Sequence, residues 1–195
     1  MSGTGSEAAV RPLRIVLGVT GSIAAYKAAD LTSRLAARGH EVHVVLTRAA
    51  AQLVGPATFH PLSGNPVRGE LFEAEGSGAL GARVEHVGLA DRADLVCIAP
   101  ATAHTIARLA LGVADDFLST LVLAFAGPVL VAPAMNDNMW AHPAVVRNVE
   151  TLRGFGYHII EPDSGALACG RTGTGRLADP ARIVERIERL GERAG

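Results

Sequence analysis

Asn136 lies in Pro133-Ala134-Met135-Asn136-Asp137-Asn138-Met139-Trp140, a segment that joins one polar amide to large, soft side chains. A side-chain amide both donates and accepts hydrogen bonds, so it is a polar group suited to orienting a ligand. The octapeptide follows the apolar run Val129-Leu130-Val131-Ala132, which has the length and composition of a buried parallel strand. Residues just past such a strand face the edge where open α/β sheets bind ligands. The alternative is a Pro-led loop whose Met139 and Trp140 merely fill a gap in the core.

Further segments carry possible chemistry. Gly18-Val19-Thr20-Gly21-Ser22-Ile23 is a tight turn from strand to helix, and its exposed N–H groups suit an anion. It matches neither the G-x-G-x-x-G dinucleotide pattern nor a P-loop, so one phosphate, as in a mononucleotide, fits better. A plain turn capped by Ser22 is the competing reading. Thr47 ends the second apolar run at the same edge, where it can donate to that phosphate or cap the next turn. Pro100-Ala101-Thr102-Ala103-His104 is a turn of mostly small residues over which a flat ring could lie, with Thr102 placed to cap a helix. Asp115, Asp116, Ser119 and Thr120 are equally suited to ligand contacts and to helix capping. His86 is one of seven histidines, and a lone histidine is usually a surface or core residue; only its context lifts it above the others. No histidine or cysteine spacing suggests a metal site. Residues 162–176 are rich in glycine and hold Cys169, which reads as a lid carrying a thiol or as an idle surface loop.

The elements that must position these groups alternate in type. Strands are expected over 14–19, 41–46, 94–99, 128–132 and 157–160, with helices over 23–38, 102–111, 114–124, 143–155 and 180–193. That alternation predicts an α/β fold: a single domain with a doubly wound parallel sheet, Rossmann-like or flavodoxin-like in three layers. Residues 1–13 are small and polar and are expected to form a disordered tail, leaving 14–195 as the domain. The chain has 195 residues and a formal charge of −1, so it lacks the basic face of a nucleic-acid binder. Aromatic residues make up 4% of the chain and hydrophobic ones 49%, so Ala, Val and Leu must build the core. Lys27 is the only lysine, a bias that reads as codon usage. Two cysteines make no disulfide framework, and no stretch spans a bilayer or forms a signal peptide; a cytoplasmic setting is expected.

Taken together and in this order, the glycine turn through Lys27, the His86 segment running into Pro100-Ala101-Thr102-Ala103, and the Asn136 octapeptide resemble the homo-oligomeric flavin-containing cysteine decarboxylases. The resemblance covers about residues 14–188. It implies FMN as cofactor, with Gly21, Ser22, Ile23 and Thr47 at its phosphate and Pro100, Ala101, Thr102, Ala103, His104 and Ser119 around the remainder. It implies His86 as the essential histidine, Asn136 as the carboxylate-binding group with Met139 beside it, and Cys169 as the loop thiol that protonates the intermediate. Position 104 departs from the family, where Asn or Asp is usual, so His104 rivals His86 for acid–base work.

The implied chemistry explains these residue types. Direct loss of CO2 from cysteine would leave an unstabilised carbanion, whereas prior oxidation of the side chain by flavin makes an electron-accepting thioaldehyde. Two substrates fit. One is a peptide ending in cysteine, giving an enethiol for natural-product synthesis; the other is phosphopantothenoylcysteine, giving 4'-phosphopantetheine for coenzyme A. The lack of a fused synthetase leans towards the peptide, while the Cys169 loop leans the other way. An inactive flavin-binding regulatory subunit and a flavin prenyltransferase are further alternatives. The resemblance also implies a homo-oligomer, a trimer or a dodecamer of four trimers.

Overall fold

Five apolar runs pair side by side in a computed structural model of the chain, which describes residues 11–69, 79–166 and 170–193. They are β1 (Arg14–Val19), β2 (Glu41–Leu46), β3 (Leu95–Ala101), β4 (Val129–Pro133) and β5 (His158–Ile159). Every pairing is parallel and the order is β2-β1-β3-β4-β5, the flavodoxin-like doubly wound arrangement. The register aligns Val44, Leu17, Cys97 and Leu130 across four strands. Val16, Val96 and Val129 align on the other face. Both faces are therefore apolar, as a sheet covered on both sides requires.

A short 3-10 turn (Ile23–Ala25) leads into α1 (Tyr26–Ala37), which covers the first face through Leu31 and Leu35. After β2 come α2 (Arg48–Ala51) and α3 (Pro56–Ser63), and α4 (Ala79–Arg92) precedes β3. The second face is covered by α5 (Ala103–Leu111), α6 (Phe117–Ala124) and α8 (Pro143–Gly154), with Ile106, Leu118 and Val149 in its core. Between β4 and α8 lies one turn of helix, α7 (Asp137–Trp140). Gly18 makes this layer close: a Cβ there would lie 2.6 Å from Leu118 Cδ1.

The chain closes with α9 (Pro180–Gly191), whose Ile183, Ile187 and Leu190 return to the first face. Residues 1–10 of the expected tail lie outside the described residues. Leu13, its last member, is buried, and a Cβ on Gly191 would sit 2.4 Å from Leu13 Cδ1. The Leu13 N–H donates to Nδ1 of the buried His40, whose Nε2 is 3.4 Å from the Glu188 carboxylate. Burial pushes the Cys97 thiol well above its ordinary pKa, so it packs as a small apolar group. No helix among the described residues is long and apolar enough to cross a membrane.

Two expectations change. The helix expected from residue 114 begins at Phe117, because Asp116 and Ser119 form a capping box that fixes the start there. The glycine-rich stretch expected to be a loop contains an antiparallel hairpin, β6 (Asp163–Ala166) and β7 (Thr172–Arg176).

Candidate active site

Thr20, the residue after β1, stitches the sheet's carboxyl edge together. Its buried hydroxyl donates to the Pro100 carbonyl at 2.7 Å and accepts the Thr102 N–H at 3.0 Å. The turns after β1 and β3 are thereby held edge to edge at the point where the strand order reverses. Gly21 follows and packs on α2, where a Cβ would lie 2.5 Å from Ala49 Cβ. Only a residue without a side chain lets the first turn approach α2 so closely, with Ser22 and Thr47 on either side of the contact. Ser22 caps the 3-10 turn and Thr47 caps α2, each accepting a backbone N–H at 3.3 Å. Each hydroxyl keeps its own proton to donate to a further acceptor.

Two cavities of about 550 and 750 Å³ open along this edge and share Gly21, Thr102, Ala103 and Met139. Both fall within the usual range for small-molecule sites, about 300–1,000 Å³. The shared floor at Thr102 and Ala103 carries no bulky side chain, which suits a flat ring. The smaller cavity gathers Gly21, Ser22, Ile23, Thr102, Ala103, Asn136 and Met139, and the larger one adds Thr47 and His104. Asn136 reaches its cavity because it caps α7, its Oδ1 accepting the Asn138 N–H at 2.9 Å.

Other expected residues stand elsewhere. Pro100 and Ala101 lie behind the cavity floor; Ala101 is buried and its carbonyl accepts the Ala134 N–H. Ser119 lines neither cavity, because its buried hydroxyl donates to Asp116 Oδ1 at 2.7 Å. Asp115 and Asp116, by contrast, do line the larger cavity, where both are paired with Arg108. His86 is buried on α4, 6.1 Å from the Phe117 ring in an edge-on contact, and also lines neither cavity. Its Nδ1 is buried without a hydrogen-bond partner among the described residues. Cys169 lies outside the described residues.

The hairpin supplies residues that sequence reasoning missed. Its glycines permit backbone contact with the Asn136 loop: a Cβ on Gly175 would stand 2.2 Å from the Met135 carbonyl oxygen, and one on Gly173 2.8 Å from Asp137 Cβ. The Met135 N–H donates to the Gly175 carbonyl at 2.9 Å. Arg171 reaches across to Asp137 at 2.5 Å, and this hydrogen bond is the main reason the Asp137 carboxyl is held below its ordinary pKa. Folded this way, the hairpin brings Ala166 and Arg176 to the smaller cavity, opposite Tyr26 and Lys27 at the start of α1. Residues so distant in sequence carried no local signal that they share a wall.

Comparison with known proteins agrees with this arrangement. The Flavoprotein family model matches residues 5–191. The coenzyme A biosynthesis bifunctional protein CoaBC of Bacillus subtilis is 46% identical over 175 residues, covering 90% of this chain and 42% of the relative. The chain thus spans about two fifths of the length of the curated relatives it matches. The crystal structure of the FMN-dependent cysteine decarboxylase SpaF is 34% identical with a TM-score of 0.79, covering 96% of this chain and 99% of that one. A PPC decarboxylase mutant complexed with pantothenoylaminoethenethiol is 28% identical with a TM-score of 0.80, covering 93% of this chain and 100% of that one. Fold, cavity position and relatives converge: the chain belongs to the flavoprotein family, among its flavin-containing cysteine decarboxylases.

Proposed function

We propose that the chain binds FMN and decarboxylates phosphopantothenoylcysteine, giving 4'-phosphopantetheine. One observation carries the choice of substrate: curated relatives at 44 to 48% identity over about nine tenths of this chain are coenzyme A biosynthesis bifunctional proteins. The peptide substrate drew its support from the point at which the chain stops, which says nothing about what the cavity holds.

Gly21, Ser22 and Thr47 would hold the FMN phosphate in this reading, and Thr102 and Ala103 would support its ring. FMN bound there would supply the reversible two-electron redox chemistry that loss of CO2 from a cysteine needs. Asn136 binds the substrate carboxylate through its amide. Because it carries no positive charge, it does not hold the departing group more tightly in the ground state than in the transition state. Met139, half exposed beside it, gives apolar contact. His86 takes or orients the thiol proton. Its buried Nδ1 has no partner among the described residues, which is costly unless something meets it, and it lies outside both cavities of its own chain. It therefore serves the cavity of a neighbouring copy in a trimer. Cys169 supplies the proton that completes the saturated thiol.

The test offers the FMN-loaded protein phosphopantothenoylcysteine and, separately, peptides ending in cysteine, with products weighed by mass spectrometry. Loss of CO2 alone from phosphopantothenoylcysteine is expected. Loss of CO2 and two hydrogens from a peptide, with no turnover of phosphopantothenoylcysteine, would replace this reading with the peptide one.

A further inference from the structure

The residues that would meet the two ends of a flavin stand on different turns. Gly21, Ser22 and Thr47, at the phosphate in the reading above, belong to the turns after β1 and β2. Thr102 and Ala103, under the ring, belong to the turn after β3. Backbone contacts fix the phosphate group of residues: the Thr47 N–H donates to the Val19 carbonyl at 3.0 Å, and Gly21 packs on Ala49. The join between phosphate and ring residues is thinner. The register of β1 on β3 ends with Gly18 opposite Ile98, and Pro100 brings no N–H with which to extend the ladder.

Thr20 bridges that gap. Its N–H reaches the Pro100 carbonyl at 3.3 Å, a long bond. Its hydroxyl supplies the short one, 2.7 Å to the same carbonyl, and accepts the Thr102 N–H at 3.0 Å. Thr20 is 1% exposed, so water does not compete for either bond. Thr102 in turn starts α5, its own hydroxyl accepting the Thr105 N–H. One buried hydroxyl therefore sets where the cavity floor begins relative to the phosphate turn, although Thr20 itself lines neither cavity.

A ligand with a phosphate at one end and a ring at the other gains from both only if the protein holds the two subsites at the ligand's own spacing. Fixed spacing makes the second contact intramolecular once the first is made. A loose joint must be ordered on binding and loses part of that gain. We propose that Thr20 is a positioning residue, the spacer that lets the chain hold a flavin by phosphate and ring at once and so prefer FMN to riboflavin. The proposal rests on the placement of phosphate and ring in the functional reading above and adds the group that sets their separation.

The test compares the two flavins on the full chain. Free flavin in equilibrium with protein loaded with FMN or with riboflavin is read by fluorescence after ultrafiltration, giving a Kd for each. The proteins are the wild type, Thr20→Val, Thr20→Ala, Thr20→Ser and Thr32→Val. Valine keeps the outline of threonine without the hydroxyl, while the backbone bond to Pro100 remains. Thr32 is the control: it is equally buried and its hydroxyl also donates to a carbonyl, that of Ala28, but within α1. The wild type should prefer FMN. In Thr20→Val and Thr20→Ala the preference should shrink about tenfold, the scale of one hydrogen bond, through weaker FMN binding with riboflavin little changed. Thr20→Ser and Thr32→Val should keep it. An unchanged preference in both variants without the hydroxyl, an equal loss of both flavins, or the same drop in Thr32→Val or Thr20→Ser would overturn the spacer. So would failure of Thr20→Val and Thr20→Ala to fold, which would make Thr20 a residue of the fold alone. A wild type that binds riboflavin as tightly as FMN would instead overturn the phosphate placement, and the spacer with it.

Discussion

Asn136 serves both architecture and chemistry, and the two can be pulled apart. Its Oδ1 caps α7 by accepting the Asn138 N–H, a bond that aspartate makes equally well. Asn136→Asp should therefore fold and retain FMN, yet lose decarboxylation by at least about a hundredfold, because a carboxylate now faces the substrate carboxylate. Circular dichroism and flavin absorbance would check the first half and CO2 release the second; retained turnover would move the carboxylate site elsewhere. At this scale the sequence was legible where a side chain follows directly from its strand. Asn136 ends an apolar run, and Ser22 and Thr47 sit at the first turns past theirs. Thr20 was not singled out, because its importance lies in a bond to a carbonyl 80 residues away. Ser119 read equally as a ligand group and a cap, and its hydroxyl is taken up by the capping box.

The hairpin is the element that sequence periodicity hid. Its strands alternate glycine with threonine or serine and lack the apolar residues by which a strand is recognised. Those glycines are contact surfaces. Gly175→Ala would set a Cβ against the Met135 carbonyl, which is backbone and cannot swing away, so the hairpin must lift. Hydrogen exchange should then rise across residues 172–176 while the central strands stay protected, and KM should rise. Unchanged exchange at the hairpin would show that it does not depend on this approach. Acid should act on the same joint through Asp137. Its pKa is lowered in the folded protein, so its pairing with Arg171 stabilises the hairpin fully above the ordinary carboxylate range. That support is lost as pH falls below about 4 through the lowered value. Arg171→Gln should flatten the acid-side rise in hairpin exchange; a rise as steep as in the wild type would clear Asp137 of the role. The short helices α2, α3 and α7 also escaped the sequence pattern, since four to eight residues give too few turns for a periodic signal.

At the scale of the whole molecule the sheet was legible and the completed site was not. Continuous Val, Ile and Leu runs separated by amphipathic helices leave few topologies to a right-handed α/β chain. His86 is different: its chain neighbours place it under α6, away from Asn136, and no single-chain pattern says what it faces. If a trimer brings it to a neighbour's cavity, His86→Asn and Asn136→Asp should each be inactive alone. Mixed, dissociated and reassembled, they should regain activity that neither has by itself, with native mass spectrometry reporting the trimer. No recovery in verified mixed trimers would place both groups in one chain's site. The seam between Leu13 and Gly191 has a different bearing. Residue 13 enters β1 at the amino edge of the sheet, and α9 ends against it. The cavities open at the opposite edge, about 20 Å away by the rise of a six-residue strand. The chain therefore enters the domain at Leu13 and completes α9 at Gly191 on the same pole of the protein, on the side away from the cavity mouths. A short linker across that seam would let the gene be re-cut to open the chain at another surface turn.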